Sequence, residues 1–369
     1  MHSLHEDLGV PPAVNASGKM TALGGSVLDE RVISAMGEAA RQHVVMDDLL
    51  VAVGREIARA TGAEDGCPTT GAASGIAIAV ASVIAGTDLS RIEALPDAGD
   101  APREVVLPFG HSVHFGAPIR QMVALGGGRA VEVGSASKVT VAHLEGAIGP
   151  DTAALLYVKS HHAVQKGMVS LAETVETGRR HGIPVIVDAA AEEDLRHWPA
   201  TGADLVVYSG GKAVGGPTSG MICGSAARMA ACRAQYGGIA RPMKVGKETL
   251  FGLVQALRDY GSDRAEASGG QRARMEKLAA RLAVLPGITT RVVGDEAGRA
   301  IHRTELTVDP AAAGRDAAGL AAELAAVGVH VRDHHAVTGR LMIDPRPLRA
   351  DEEELLVERL TALFEGAHR

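Results

Sequence analysis

The chain has 369 residues, of which 46% are hydrophobic, enough to bury a substantial core and to exclude global disorder. A net charge of −7 and a pI near 6.1 exclude broad, non-specific binding to nucleic acid. Cys67, Cys223 and Cys232 follow no metal-ligand spacing and cannot all pair, which suits a reducing cytosol.

In chain order, the opening MHSLHEDLGVPPAVNASG lacks the apolar core of a signal peptide, so no targeting segment is expected, and no apolar run has the length of a membrane span. TTGAASGIAIAVASVIAG (69–86) reads as a small-residue loop feeding a buried helix. VVLPF (105–109), AALLYV (153–158), PVIVDA (184–189) and DLVVYS (204–209) are short and almost wholly apolar, the texture of parallel strands covered on both faces. SLAETVETGRRHG (170–182) is a helix closing on a glycine. Beyond about residue 265 the texture becomes helix, strand, helix, strand, strand and closing helix, a compact α+β domain. The expected organisation is an N-terminal segment (1–50) packing on the small domain or a partner subunit, a large cofactor-binding domain (51–264) and a small C-terminal α+β domain (265–369).

Several stretches carry chemistry. Ala72, Ala73 and Ser74 lie between Gly71 and Gly75 at a helix start, where exposed amides favour an anion; an ordinary tightly packed helix start has the same composition. Asp188 closes a buried strand among alanines, either as a helix cap or as partner to a cationic ring nitrogen. Lys212, in DLVVYSGGKAVGGPTSG (204–220), stands at a strand end stripped of neighbouring side chains, with Ser209 three residues before it. Desolvation there lowers an amine toward nucleophilic range. In PFGHSVHFGAP (108–118), His111 or His114 can cover a flat ring, and His111 is preferred because it lies nearer the strand end. A phosphate loop, a stacking histidine, a strand-end Asp and Ser-x-x-Lys are the parts that a pyridoxal 5'-phosphate enzyme requires, with Lys212 as its Schiff-base lysine.

The wording is narrower still. VNASGKMTALGGS (14–26), GAASGIAIAVAS (71–82), GHSVHFGAP (110–118), KSHHAVQKGMVS (159–170), IVDAAAEEDL (186–195), YSGGKAVGGPTSG (208–220) and MKVGKE (243–248) resemble the D-glucosaminate-6-phosphate ammonia-lyase group, relatives of bacterial selenocysteine synthase among fold-type I pyridoxal phosphate enzymes. The similarity runs from about residue 10 to DPRPL at 344–348. It implies an α/β fold with a mostly parallel sheet flanked by helices, a smaller C-terminal domain, and assembly as a homodimer or higher homo-oligomer. The length leaves no room for the extra tRNA-binding domain of selenocysteine synthase, so a small-molecule amino acid is the expected substrate.

The resemblance implies α,β-elimination of a hydroxylated amino acid to a 2-keto acid and ammonia. Lys212 takes the α-proton and Asp188 keeps the ring nitrogen protonated. His161 or His162 follows a strand end and can contact the cofactor or protonate the leaving hydroxyl; His162 is the candidate kept. Arg346 in DPRPL suits a substrate carboxylate, as a planar fork does. Arg241 and Lys244 suit a phosphate on cofactor or substrate, while Lys19 and Asn15 fit a site or a structural turn equally. Racemisation, aldol cleavage and β-replacement begin from the same cofactor chemistry, and a catalytically silent scaffold would need neither Lys212 nor Asp188.

Overall fold

The computed structural model describes residues 3–160, 162–260, 264–295 and 299–365. In chain order its strands are β1 (Val14–Ala16), β2 (Asp65–Thr69), β3 (Glu104–Pro108), β4 (Arg129–Val133), β5 (Thr152–Val158), β6 (Val185–Asp188), β7 (Leu205–Ser209), β8 (Gly220–Gly224), β9 (Ile288–Gly294), β10 (His302–Val308), β11 (Val329–Val331) and β12 (Arg340–Ile343). They divide between two compact units, one of Leu28–Gly261 and one of Met1–Val27 with Ser262–Arg369.

The larger unit is built on a seven-stranded sheet in the order β2-β8-β7-β6-β5-β3-β4. β8 runs antiparallel to both its neighbours, and the other pairings are parallel. Neighbouring residues within each strand feed different cores. Leu156, Val158, Ile186, Leu205 and Val207 join one buried cluster. Leu155, Tyr157, Val187, Val206 and Tyr208 join the other. The strands are therefore covered on both faces, which is why they read as unbroken apolar runs.

The Ala72–Ala85 helix lies on the first face with ten of its residues buried. It is apolar all round because its surroundings are protein on nearly every side. On the other face, Leu171–His181 begins in a capping box between Ser170 and Glu173 and stops at Gly182, whose φ of +67° is the left-handed conformation glycine adopts without strain.

The smaller unit holds a three-stranded antiparallel sheet, β12-β10-β9, and the parallel pair β1-β11. Helices Arg264–Leu282, Ala317–Ala326 and Ala350–Glu365 belong to it, and Leu320, Leu324, Leu356 and Leu360 enter its core with Leu306 and Leu341. Among the described residues, no helix is long and apolar enough to cross a membrane.

Candidate active site

Strand register brings the chemistry of the larger unit to one edge. Val158, Asp188 and Val207 stand level across β5, β6 and β7. Two residues beyond Val207, Ser209 pairs with Gly220, which pairs in turn with Thr69 at the end of β2. The loops leaving β2, β3, β5, β6 and β7 therefore emerge on the carboxyl side of the sheet. From β3 the chain goes outward to β4 and then returns to β5 on the other side, so the β3/β5 crevice is a switch point, where open α/β sheets bind ligands.

The turn after β2 leaves a helix start uncapped. Gly71 precedes the Ala72–Ala85 helix with extended backbone and no side-chain cap, so the first amides, Ala72, Ala73 and Ser74, receive no cap from their own chain. The Ser74 hydroxyl donates to the Gly71 carbonyl at 2.7 Å and accepts from Thr70 Oγ1 at 3.0 Å. A Cβ placed on Gly71 would meet nothing within 4 Å, so the space before the helix is open.

Asp188 is only 5% exposed at the end of β6. Its Oδ1 accepts the Ala190 amide at 3.1 Å. Burial pushes the carboxyl up to about 6, against the opposing pull of that amide and of the Lys212 charge. Lys212 is half-buried in the loop between β7 and β8. Gly210 N–H donates to Ser219 O and Gly216 N–H to Gly210 O, both at 2.8 Å, closing the loop's base. The Ser209 amide donates to the Ala190 carbonyl at 3.2 Å, tying the Asp188 turn to the strand that carries the lysine.

His111 ends a 3-10 turn, Phe109–His111, and is 0% exposed. Val158 N–H donates to its Nδ1 at 3.3 Å, and its ring meets Tyr157 edge-on with centroids 4.5 Å apart. Burial lowers its pKa to about 4; the Val164 backbone opposes this and the Lys159 charge adds to it. An open ring face was expected from the sequence, and the ring is instead enclosed because the turn folds back onto β5. His114 is exposed, in a bridge with Pro118. His162 is also exposed, its backbone amide bonded to Ser160 Oγ at 3.2 Å, and His161 lies outside the described residues.

The remaining candidates stand elsewhere. Arg241 and Lys244 are exposed and line a cavity of about 840 Å³ in the larger unit, together with Met46, Val51, Arg233 and Tyr236. Arg346, in the smaller unit, is forked onto Asp344 through Nε at 2.9 Å and Nη2 at 2.7 Å. Asn15 holds a local turn, its Oδ1 accepting the amides of Ser17 and Gly18. Lys19 is half-buried. Sequence reasoning passed over Thr70, Tyr157 and Asp344. The doubled threonine before the glycine could have marked the first, while nothing local marks the other two.

The residues fit pyridoxal phosphate: an uncapped helix start before open space, a buried carboxylate wanting a cation, and a lysine close enough to Asp188 to influence it. Residues 13–275 match the family described as SelA: L-seryl-tRNA selenium transferase. The chain belongs to this family. Over 365 residues it is 54% identical to a Streptomyces 5'-C-glycyluridine monooxygenase-decarboxylase, covering 98% of this chain and 92% of that one. It is 43% identical to the D-glucosaminate-6-phosphate ammonia lyase of Salmonella typhimurium over 367 residues, 99% of each. A solved structure of D-glucosaminate-6-phosphate ammonia-lyase superposes with a TM-score of 0.93 at 42% identity, over the whole of both chains. The architecture is that of fold-type I pyridoxal phosphate enzymes, and this family member is an enzyme.

Proposed function

We propose that the chain is a pyridoxal phosphate-dependent ammonia-lyase that eliminates the β-hydroxyl of a 2-amino-3-hydroxy acid such as D-glucosaminate 6-phosphate. The observation that carries this is the buried Asp188 beside the Lys212 loop, in a chain 43% identical end to end to such a lyase. The amides of Ala72, Ala73 and Ser74 and the Ser209 hydroxyl would hold the cofactor phosphate, Asp188 its ring nitrogen and Lys212 its aldehyde carbon. Bound there, the cofactor supplies an electron sink for the pair left on the α-carbon.

The chain's own residues do the rest. The Lys212 amine removes the α-proton, and Asp188 keeps a proton on the ring nitrogen. The β-hydroxyl leaves as water, with His162 the candidate donor. The released enamine takes up water and yields the 2-keto acid and ammonia, so the water lost in elimination is recovered. Arg346 is the proposed carboxylate ligand, and Arg241 with Lys244 the proposed phosphate ligands. A homodimer or larger homo-oligomer in a reducing cytosol completes the reading; three buried free thiols support the compartment.

A second reading is favoured by the Streptomyces relative, 54% identical, whose name joins oxygenation to decarboxylation of a glycyl nucleoside. In that reading dioxygen is the oxidant: one of its atoms ends on the α-carbon as an amide oxygen, the other leaves as water, and the carboxylate leaves as carbon dioxide. The substrates of both relatives, and the seryl group in the family's name, are amino acids with oxygen on the carbon beside the amine-bearing one. That shared β-oxygen defines the substrate class. Racemisation and aldol cleavage have no such support. The test is to assay the loaded enzyme with D-glucosaminate 6-phosphate and with 5'-C-glycyluridine, following ammonia, carbon dioxide and oxygen. Ammonia without oxygen uptake supports the lyase; oxygen uptake with carbon dioxide release supports the second reading instead.

A further inference from the structure

The carboxyl edge of the larger unit carries an aromatic ring that the elimination chemistry does not use. Of the four phenylalanines, Phe364 is buried, Phe115 and Phe251 are partly buried, and Phe109 is 46% exposed. Phe109 directly follows Pro108, the last residue of β3, and so stands at the mouth of the β3/β5 crevice. The turn it opens ends at His111, whose Nδ1 accepts the Val158 amide, and Val158 is level with Asp188. β3 lies two strand spacings, about 10 Å, from β6, which carries Asp188. The turn is firmly held. Ser112 N–H donates to Phe109 O at 3.1 Å, and Val164 N–H, from the loop after β5, donates to Gly110 O at 2.9 Å. A Cβ on Gly110 would stand 2.9 Å from Sδ of Met168 and 3.0 Å from Cβ of Val164, so the two loops meet with no room between them. The loop after β5 is tied down in turn by Val139 N–H, which donates to Gly167 O at 2.9 Å. Val164 is itself 40% exposed.

A single exposed apolar side chain is ordinary on a protein surface. Phe109 and Val164 differ in standing on clamped, adjoining turns at the place where open α/β sheets bind ligands. Covering them gains free energy for a group with an apolar face, whereas open-chain hydroxyls and a phosphate would lose hydration there and gain no partner. The Val164 loop also carries exposed His162 and Lys166, so a flat ring with polar edges suits the place better than a hydrocarbon does. We infer that Phe109, with Val164, is a specificity-determining contact for substrates that carry a flat, nucleobase-like ring beyond the β-carbon. This rests on the pyridoxal phosphate reading above and holds whichever reaction follows.

The experiment titrates the loaded full-length enzyme with 5'-C-glycyluridine and with D- and L-serine, which share its amino acid end and carry no ring, following the visible absorbance of the lysine-bound cofactor. Wild type is expected to respond to 5'-C-glycyluridine at a concentration at least about 10-fold below either serine, within the worth of one base stacked on an aromatic ring. Phe109→Ala is expected to raise the 5'-C-glycyluridine value by about 10-fold and to leave the serines within about 2-fold. Phe109→Tyr, which restores a ring face, is expected to behave as wild type. A Phe109 that only holds its turn would move all three ligands alike in Phe109→Ala, and that result overturns the inference. So does a wild type without the preference, or a preference that survives in Phe109→Ala. A lower sedimentation mass for Phe109→Ala also overturns it, by assigning the ring to a contact between copies of the chain. Each of these results leaves the cofactor reading intact, whereas a wild type with no visible band overturns both.

Discussion

A methyl group at Gly75 would stand 2.7 Å from Cγ1 of Val207. The helix that follows the Gly71 turn thus lies directly on the strand that leads into the lysine loop. Gly75→Ala gains helix propensity of up to about 1 kcal/mol but overpacks a tight contact, at a cost of about 1–3 kcal/mol. The expected outcome is a net loss of about 1 kcal/mol in urea unfolding, with weaker retention of pyridoxal phosphate because the helix start is displaced.

Asp188 and His111 are expected to give the apoprotein opposed pH slopes. Asp188 has its folded value raised, from 3.8 to about 6, so its contribution is present below pH 4 and lost as pH rises through 6. His111 has its folded value lowered, from 6.5 to about 4, so its contribution is present above pH 6.5 and lost as pH falls through 4. Each is worth on the order of 2–3 kcal/mol. Wild type should be comparatively flat in this window, Asp188→Asn should lose stability toward acid, and His111→Asn should lose it toward neutrality. Chemical denaturation at pH 4.5 and 7 measures both, and parallel slopes in the two variants would refute the assignment.

Lys212→Ala should abolish the visible absorbance of the loaded enzyme and lower the elimination rate by at least about 10³-fold, because it removes both the covalent tether and the base. A spectrum unchanged from wild type would place the aldehyde on another amine.

Alanine at Arg241 and Lys244 together should raise KM for a phosphorylated substrate by roughly 10-fold or more, through loss of two charge-assisted contacts. KM for serine should stay within about 2-fold. An equal effect on both substrates would assign the pair to the cofactor phosphate instead.

The parts of the fold that were legible are those where one rule acts alone. β5, β6 and β7 are buried on both faces, and their apolar runs marked them within a residue or two. β2, spelled DGCPT, holds a glycine and a proline and lies at the sheet's edge, so nothing in its composition suggested a strand. β10 was hidden for another reason: Arg303, Thr304 and Glu305 are buried in the middle of a sheet, and ion pairs and hydrogen bonds that only the tertiary structure supplies make them tolerable there. The candidate site divides the same way. Asp188 and Ser209 close buried apolar strands and Lys212 stands just beyond one, so strand ends marked them, whereas Ala72–Ser74 were marked by small residues at a helix start. The enclosure of His111 depends on β5, and the fork on Arg346 on Asp344; neither can be read from the local sequence.

Gly220 pairs with Ser209 on one side and Thr69 on the other, and a Cβ there would stand 2.4 Å from the carbonyl carbon of Gly71. One residue without a side chain thus serves as a common footing for the turn that opens the Ala72–Ala85 helix and the loop that carries Lys212. The distance between those two features is set by hydrogen bonds of the sheet rather than by either loop. Loop residues can therefore be exchanged while the two anchor points keep their spacing.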